Sequence, residues 1–218
     1  MARPRRPILT RTRIVESALA IVDAEGLDAL STRRLAHELA VKAPSLYNHF
    51  STKEEILDAV GDSIIGEVDL SMFNGHRLAP DEWPEALRRW ARADRAALAA
   101  HPNIVPFLAR GPGRRPAALK LADQVYGALV DAGWPRSHAT RIGATMRYLV
   151  AGSAVGSFAL GFVDDPGVYA ENYPHLGDAH RLREHHHQVD EGAFELGLSA
   201  LLDGLIALYP QVRTGTGA

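Results

Sequence analysis

Apolar residues recur at helical spacing along almost the whole chain, and no stretch alternates apolar with polar between turn residues, so the pattern predicts an all-α protein. A first helix over about 10–25 sets Ile14, Ala18 and Val22 on one face with Val15 and Leu19, and stops at Gly26. Ser31 or Thr32 caps a short second helix through Leu39 that buries Leu35, Ala36 and Leu39. After the turn 40–43, Pro44 suits the first position of a third helix, where its missing N–H costs nothing. That helix lasts barely two turns, because Ser51-Thr52-Lys53-Glu54-Glu55 supplies a capping box for a fourth over 52–70. Ile56, Leu57, Val60, Ile64, Ile65 and Val68 form the fourth helix's apolar face.

Leu70 to Asp81, with Asn74-Gly75 and Pro80, is a loop between two modules, which puts the domain division at 1–70 and 71–218. Beyond it the pattern predicts helices at 82–100, 102–109, 114–132, 135–162 and 190–208, punctuated by Pro102, Gly111-Pro112-Gly113, Gly133 and Pro135. Residues 164–189, rich in Asp, Gly, Pro and His, form a long loop with one helical turn at most.

Composition changes this picture little, and charge changes it at one place. The 218 residues contain no cysteine, which removes disulfides, thiolate nucleophiles and Cys-based metal centres and fits a cytoplasmic location. The N-terminus has no apolar core of a signal peptide. Tyr148 to Val163 carries no charge but is shorter than the roughly 20 residues that span a bilayer, and three glycines break it, so no membrane association is expected. Net charge is −2, against a chain that coats nucleic acid along its whole surface. Yet Arg3, Arg5, Arg6, Arg11 and Arg13 fall in the first thirteen residues without an acid. Such an arm is either an electrostatic footprint for phosphates or a solvated tail, and charge alone does not choose.

Two short helices joined by a four-residue turn, the second opening at Pro44, make a helix-turn-helix, whose second helix enters the DNA major groove N-terminus first. Ala43, Pro44, Ser45 and Asn48 then face base edges, and Leu46 and Phe50 point inward. Tyr47, His49 and Lys53 stand at the edges of the exposed face, where hydroxyl, imidazole and ammonium groups reach phosphates. The same shape also serves as a capped helical corner with a solvated face, and geometry alone leaves both open.

Residues of about 10–70, above all STRRLAHELAVKAPSLYNHFSTKEEILDAV at 31–60, resemble the DNA-binding domain of the TetR family of transcriptional repressors. Trp83, His101, the Gly-Pro turn after Ala109, Gly133-Trp134, Phe158-Ala159-Leu160-Gly161 and Phe194-Glu195-Leu196-Gly197-Leu198 extend the similarity to the regulatory domain of the tetracycline-repressor subclass. The resemblance implies an N-terminal helix-turn-helix domain, a larger helical domain for effector binding and dimerisation, and a homodimer on a palindromic double-stranded operator. It assigns Arg33 to a guanine, for which a guanidinium fork is suited. Thr32, Tyr47, His49 and Lys53 match its phosphate-binding positions and Ala43, Pro44, Ser45 and Asn48 its base-reading ones, with Lys42 also facing DNA. Ala43 stands where the tetracycline repressor has a long amide, and Asn48 where it has a large aromatic, so the operator differs.

The small residues Gly152, Ser153, Gly156 and Ala159, and Gly197, Ala200 and Gly204, let helices approach closely, either within one monomer or in a four-helix interface between two chains; the resemblance favours the dimer. Trp83, Trp90, Phe107, Leu108, Tyr126, Trp134, Met146 and Phe162 line an apolar cavity or fill a core. Asp69, Trp90 and Leu108 occupy the places of the subclass's tetracycline-binding histidine, asparagine and metal-binding histidine. A tetracycline–magnesium complex is therefore not implied, and a flatter or greasier apolar or aromatic effector is, with Asp94 and Asp165 as polar contacts. His175, His180, His185, His186 and His187 suit zinc, copper or nickel by type. Three consecutive histidines cannot all face one metal from a helix, so the expectation is a solvated loop, no metal and no cofactor. A metal-dependent helical enzyme built on 164–190 is the competing class, without a nucleophile–base spacing, phosphate loop or paired helical metal motif to support it. An activator with the same DNA-binding domain is the other alternative.

Overall fold

The computed structural model describes residues 9–73 and 78–214. Arg3, Arg5, Arg6 and the Asn74-Gly75 pair lie outside the described residues. Among the described residues there are helices and turns and no strand. The α-helices are α1 (Arg11–Glu25), α2 (Thr32–Glu38), α3 (Lys53–Gly66), α4 (Trp83–Ala99) and α5 (Val105–Leu108), then α6 (Pro116–Asp131), α7 (Arg136–Ala154), α8 (Pro166–Asn172), α9 (Ala179–Glu184) and α10 (His186–Thr214). They divide into two compact units, one of residues up to 67 with 101–120, the other of 68–100 with residues from 121 onward.

In the first unit Thr10 caps α1, and Ile14, Ala18, Ile21 and Val22 are buried; Val15 and Leu19 are only half-buried. Ser31 caps α2 by accepting from Arg34 N. Thr52 caps α3 by accepting from Glu55 N, and Glu55 returns a bond to Ser51 N, one residue outside the reciprocal partner of a standard capping box. The stretch 101–120 packs onto the same unit. Asn103 donates to the Val22 and Asp23 carbonyls at the C-terminus of α1, and His101 Nδ1 lies 2.8 Å from Asp23. On α3, Gly61 admits Leu108 so closely that an added Cβ would stand 2.4 Å from Leu108 Cδ2. Beside it the Arg115 guanidinium, 3 % exposed, donates to Asp58 at 2.9 Å and to the Gly111 carbonyl, while Asp62 caps α6 at Ala117 N.

The second unit is a layered helical body in which α4 packs on α7 and both touch α10. Arg92 makes a two-pronged ion pair with Glu195, Arg95 pairs with Glu191, and Phe194, Leu198 and Leu202 are buried beneath them. Gly133, at φ 106°, ends α6 in a left-handed turn that brings Trp134 N back to the Leu129 carbonyl. Trp83 and Trp134 then meet edge to face at 5.4 Å, with Tyr209 against both, and fill core instead of lining a cavity.

The helix predicted over 52–70 ends at Gly66, and the one over 102–109 divides into a 3-10 turn and α5; in the second unit three further elements differ from the pattern reading. The helix predicted over 135–162 stops at Ala154, because Gly156 and Ser157 leave the ladder and Ser157 starts a separate 3-10 turn at 159–161. Residues 164–189 hold two short helices, each started by a residue type that favours a first turn: Pro166 opens α8, and Asp178 precedes α9. Tyr169, buried on α8, ties this segment down: its hydroxyl oxygen accepts from the Asp164 backbone N–H at 3.0 Å. Finally α10 begins at His186 and runs through Pro210 to Thr214, beyond the predicted 190–208 at both ends.

Candidate functional site

The first candidate site is built by the end of α2 and the segment after it. Leu39 closes α2, Ala40 takes a left-handed φ of 53°, Ala40 N bonds the His37 carbonyl and Val41 N reaches back to Ala36. This paired closure turns the chain sharply, so the next segment starts at a fixed angle. Ala43–Asn48 is a 3-10 helix and not the predicted α-helix: Ser45 N bonds Lys42 and His49 N bonds Leu46, a tight i to i+3 pattern suited to so short a piece. Leu46 and Phe50 are 1 % and 2 % exposed and anchor it.

The opposite side is open. Lys42, Pro44, Tyr47 and Asn48 are exposed, Ala43, Ser45 and His49 half-buried. On α2, Arg33 is exposed and Thr32 half-buried, whereas the neighbouring Arg34 is held between Glu25 at 2.6 Å and Glu38 at 2.7 Å. Those hydrogen bonds keep the Glu38 carboxyl below its usual range and the Arg34 guanidinium firmly charged. Lys53 spends one of its donors on the Leu27 carbonyl at 3.1 Å. The structure thus brings the ten predicted DNA-facing residues onto one unit, with Lys53 partly engaged inside it.

Arg11, the fourth of the five arginines in the basic arm, lies in the first turn of α1. Its guanidinium stacks on Phe50 at 4.0 Å and donates to the His49 carbonyl, fastening the 3-10 segment to α1. No sequence spacing announces this contact, since it joins residues 38 apart.

The predicted effector residues are dispersed. Phe107 and Leu108 belong to the first unit, Leu108 buried against Gly61 and Phe107 beneath the Arg110 and Arg115 guanidiniums. In the second unit Asp69 is exposed and accepts from Ser71 N and Oγ, bonds that hold its carboxyl below the usual range. Asp165 is exposed ahead of α8, and Phe162 packs on Phe158 and Tyr169. Tyr126 covers Gly143 and lines a cleft of about 400 Å³ between α6 and α7 with Asp123, Gly127, Val130, Asp131, Arg136, Ala139 and Thr140. Trp90 and Asp94 of α4 and Met146 of α7 are buried, 1 %, 0 % and 0 % exposed, on two helices that pack against each other. There Arg147 donates to Asp94 Oδ2 at 2.8 Å; burial pushes the Asp94 carboxyl up and the guanidinium pulls it back.

The histidines do not assemble. His175 sits in a 3-10 turn, His180 on α9, and His186 Nδ1 lies against the Arg183 carbonyl. Among the described residues no three His, Asp or Glu side chains converge as a metal cage would require, which leaves the metal-dependent enzyme without support.

Comparison with known proteins agrees with this geometry. Residues 14–60 match the model of bacterial regulatory proteins of the tetR family, and residues 78–209 match the tetracyclin repressor-like C-terminal domain. The class A tetracycline repressor from transposon 1721 of Escherichia coli is 30% identical over 210 residues, 94% of each chain. ActR from Streptomyces coelicolor, solved in complex with actinorhodin, is 30% identical with a TM-score of 0.71 over 92% of this chain and 98% of its own. BioQ, solved with its double-stranded DNA operator, is 27% identical with a TM-score of 0.64 over 91% and 98%. The chain belongs to the TetR family of transcriptional regulators, with a helix-turn-helix DNA-binding domain ahead of a larger tetracyclin repressor-like helical domain.

Proposed function

We propose that the protein is a cytoplasmic homodimeric repressor that holds a palindromic operator and leaves it when a small apolar or aromatic effector binds. The observation that carries the reading is the open face of 42–48: Lys42, Pro44, Tyr47 and Asn48 stand out from a segment pinned by Leu46, Phe50 and Arg11, with Arg33 exposed beside it. Arg33, Ala43, Pro44, Ser45 and Asn48 read bases; Thr32, Lys42, Tyr47, His49 and Lys53 hold phosphates. Ala43 meets a thymine methyl but cannot pair an adenine with two bonds.

Reading two half-sites about 34–36 Å apart needs a two-fold dimer. Support lies on the second unit, where α7, the segment that follows it and α10 carry apolar residues that the described residues leave exposed. Tyr148 is 75%, Phe158 74% and Leu196 73% exposed, and between the helices runs a groove of about 310 Å³ floored by Gly152 and Gly156. By length and composition His186–Arg213 also suffices to cross a membrane. Glu191 and Glu195, paired with α4 arginines along that same helix, favour burial against a second copy over burial in lipid.

We assign DNA reading to residues 1–70 and effector binding and dimerisation to 71–218. The first turn of α6 is held by Asp62 of α3 and its remainder belongs to the second unit, so this helix is the transmission element. A coupling of roughly 1–3 kcal/mol between effector and operator changes affinity ~5- to 150-fold. Fluorescence anisotropy against palindromic fragments from the upstream region, at two salt concentrations, tests the reading. The wild type binds one fragment tightly and loses affinity steeply with salt. Arg33→Ala with Tyr47→Ala weakens that complex by at least about tenfold, each lost contact accounting for roughly 1–3 kcal/mol. Undiminished binding by the double variant sinks the assignment of these residues.

A further inference from the structure

The seam between α4 and α7 contains two polar atoms that the fold leaves unanswered. Trp90 Nε1 and Asp94 Oδ1 are buried and have no hydrogen-bond partner. The residues are four apart on α4, hence on one side of the helix with Cβ atoms about 5–6 Å apart. One atom can only donate and the other, as carboxylate, can only accept. Ala91 of α4 and Met146 and Val150 of α7 are likewise 0 % exposed, and their side chains carry no strong hydrogen-bonding group. A buried donor and a buried acceptor without protein partners gain energy from any group that reaches and pairs them. A ligand that answers both atoms gains energy only where it enters, and that difference is what shifts a two-state equilibrium.

The charge balance narrows the ligand. Arg147 already neutralises Asp94 at 2.8 Å. A cation brought to Oδ1 would meet the guanidinium at short range in a low dielectric, and an anion would meet the carboxylate. The cleft beside Tyr126 places no comparable demand, since Asp123, Asp131, Arg136 and Thr140 there are exposed to water.

We propose that Trp90 and Asp94 form the polar end of the effector site, and that the effector is an uncharged, largely apolar molecule presenting a carbonyl acceptor to Trp90 and a hydroxyl or amide donor to Asp94. The proposal rests on the ligand-responsive reading above and specifies the chemistry of its ligand.

Calorimetry on the whole chain, without DNA, tests it with three planar probes: a dihydroxyanthraquinone whose hydroxyls lie away from the carbonyls and stay free to donate, unsubstituted anthraquinone, and cationic ethidium. The wild type binds the dihydroxy compound at least roughly tenfold more tightly than anthraquinone, the scale of one good hydrogen bond. Asp94→Asn brings that ratio towards one, because it places an amide where the acceptor stood. Trp90→Phe, which keeps an aromatic body and removes only the N–H, weakens both quinones. Thermal melting shows whether each variant folds, and Trp90→Phe carries the test if Asp94→Asn does not. No binding of the dihydroxy compound, a wild-type ratio near one, tighter binding of ethidium, or quinone affinities that Trp90→Phe leaves unchanged overturns the proposal. Operator binding is measured separately without ligand, so a chain that binds no DNA defeats the repressor reading and leaves the quinone result to be judged alone.

Discussion

At the residue scale, Ala40 shows how much one backbone angle carries. A left-handed alanine costs about 1–2 kcal/mol, and here it sits at the hinge that aims the reading segment. Ala40→Gly relieves that cost and gives back part of it through the freer unfolded chain, for a net gain of about 0.5–1 kcal/mol in urea unfolding. Ala40→Val goes the other way by at least about 1 kcal/mol, since a β-branched residue there is an outlier. A valine variant as stable as wild type would show that the turn is not left-handed. The spacing of Ser31, Pro44 and Thr52 announces these caps and turns, because local hydrogen bonds follow sequence offsets. The Arg11–Phe50 stack and the closeness of Gly61 to Leu108 were silent in the sequence, since each joins positions tens of residues apart.

At the element scale, α4 and α10 are joined by a ladder of Arg92–Glu195 and Arg95–Glu191, with Arg88 donating to Ser199 at 3.2 Å. Bonding to Arg92 holds the Glu195 carboxyl below its ordinary range. An acid so depressed contributes stability that is fully present above its unfolded pKa and lost as pH falls through the folded one. Glu195→Gln therefore costs up to about 1 kcal/mol at neutral pH, the pair being part-exposed, and the difference shrinks with salt and vanishes in acid below the carboxylate range. A penalty unchanged at low pH would mean that packing, not charge, is lost. The same scale shows where periodicity misreads length. Apolar spacing continues past Ala154, yet Gly156 and Ser157 end the helix; residues 164–189 look loop-like in composition, yet Tyr169 anchors helix there.

At the scale of the whole molecule, the uncovered sides of α7 and α10 carry the prediction. Leu196, 73% exposed in the single chain, makes too few contacts to matter for folding of one copy. Leu196→Glu is expected to stay folded but to sediment as a monomer, and to bind operator roughly a hundredfold more weakly for want of its second reading head. A Leu196→Glu protein that stays dimeric with full operator affinity moves the interface elsewhere.

The order of residues already dictates the helical class, the caps and turn of the reading segment, and the sidedness of Leu46 and Phe50 against Tyr47 and Asn48, because all of these depend on neighbours within one or two turns. The assembly of an effector site does not depend on neighbours. Eight aromatic and apolar positions are equally good walls or core by type; only folding packs Trp83 against Trp134, seats Leu108 on Gly61, and leaves Trp90 and Asp94 with unanswered polar atoms in a closed seam. Burial and hydrogen-bond satisfaction are properties of what surrounds a side chain in space, and no spacing along the chain encodes them.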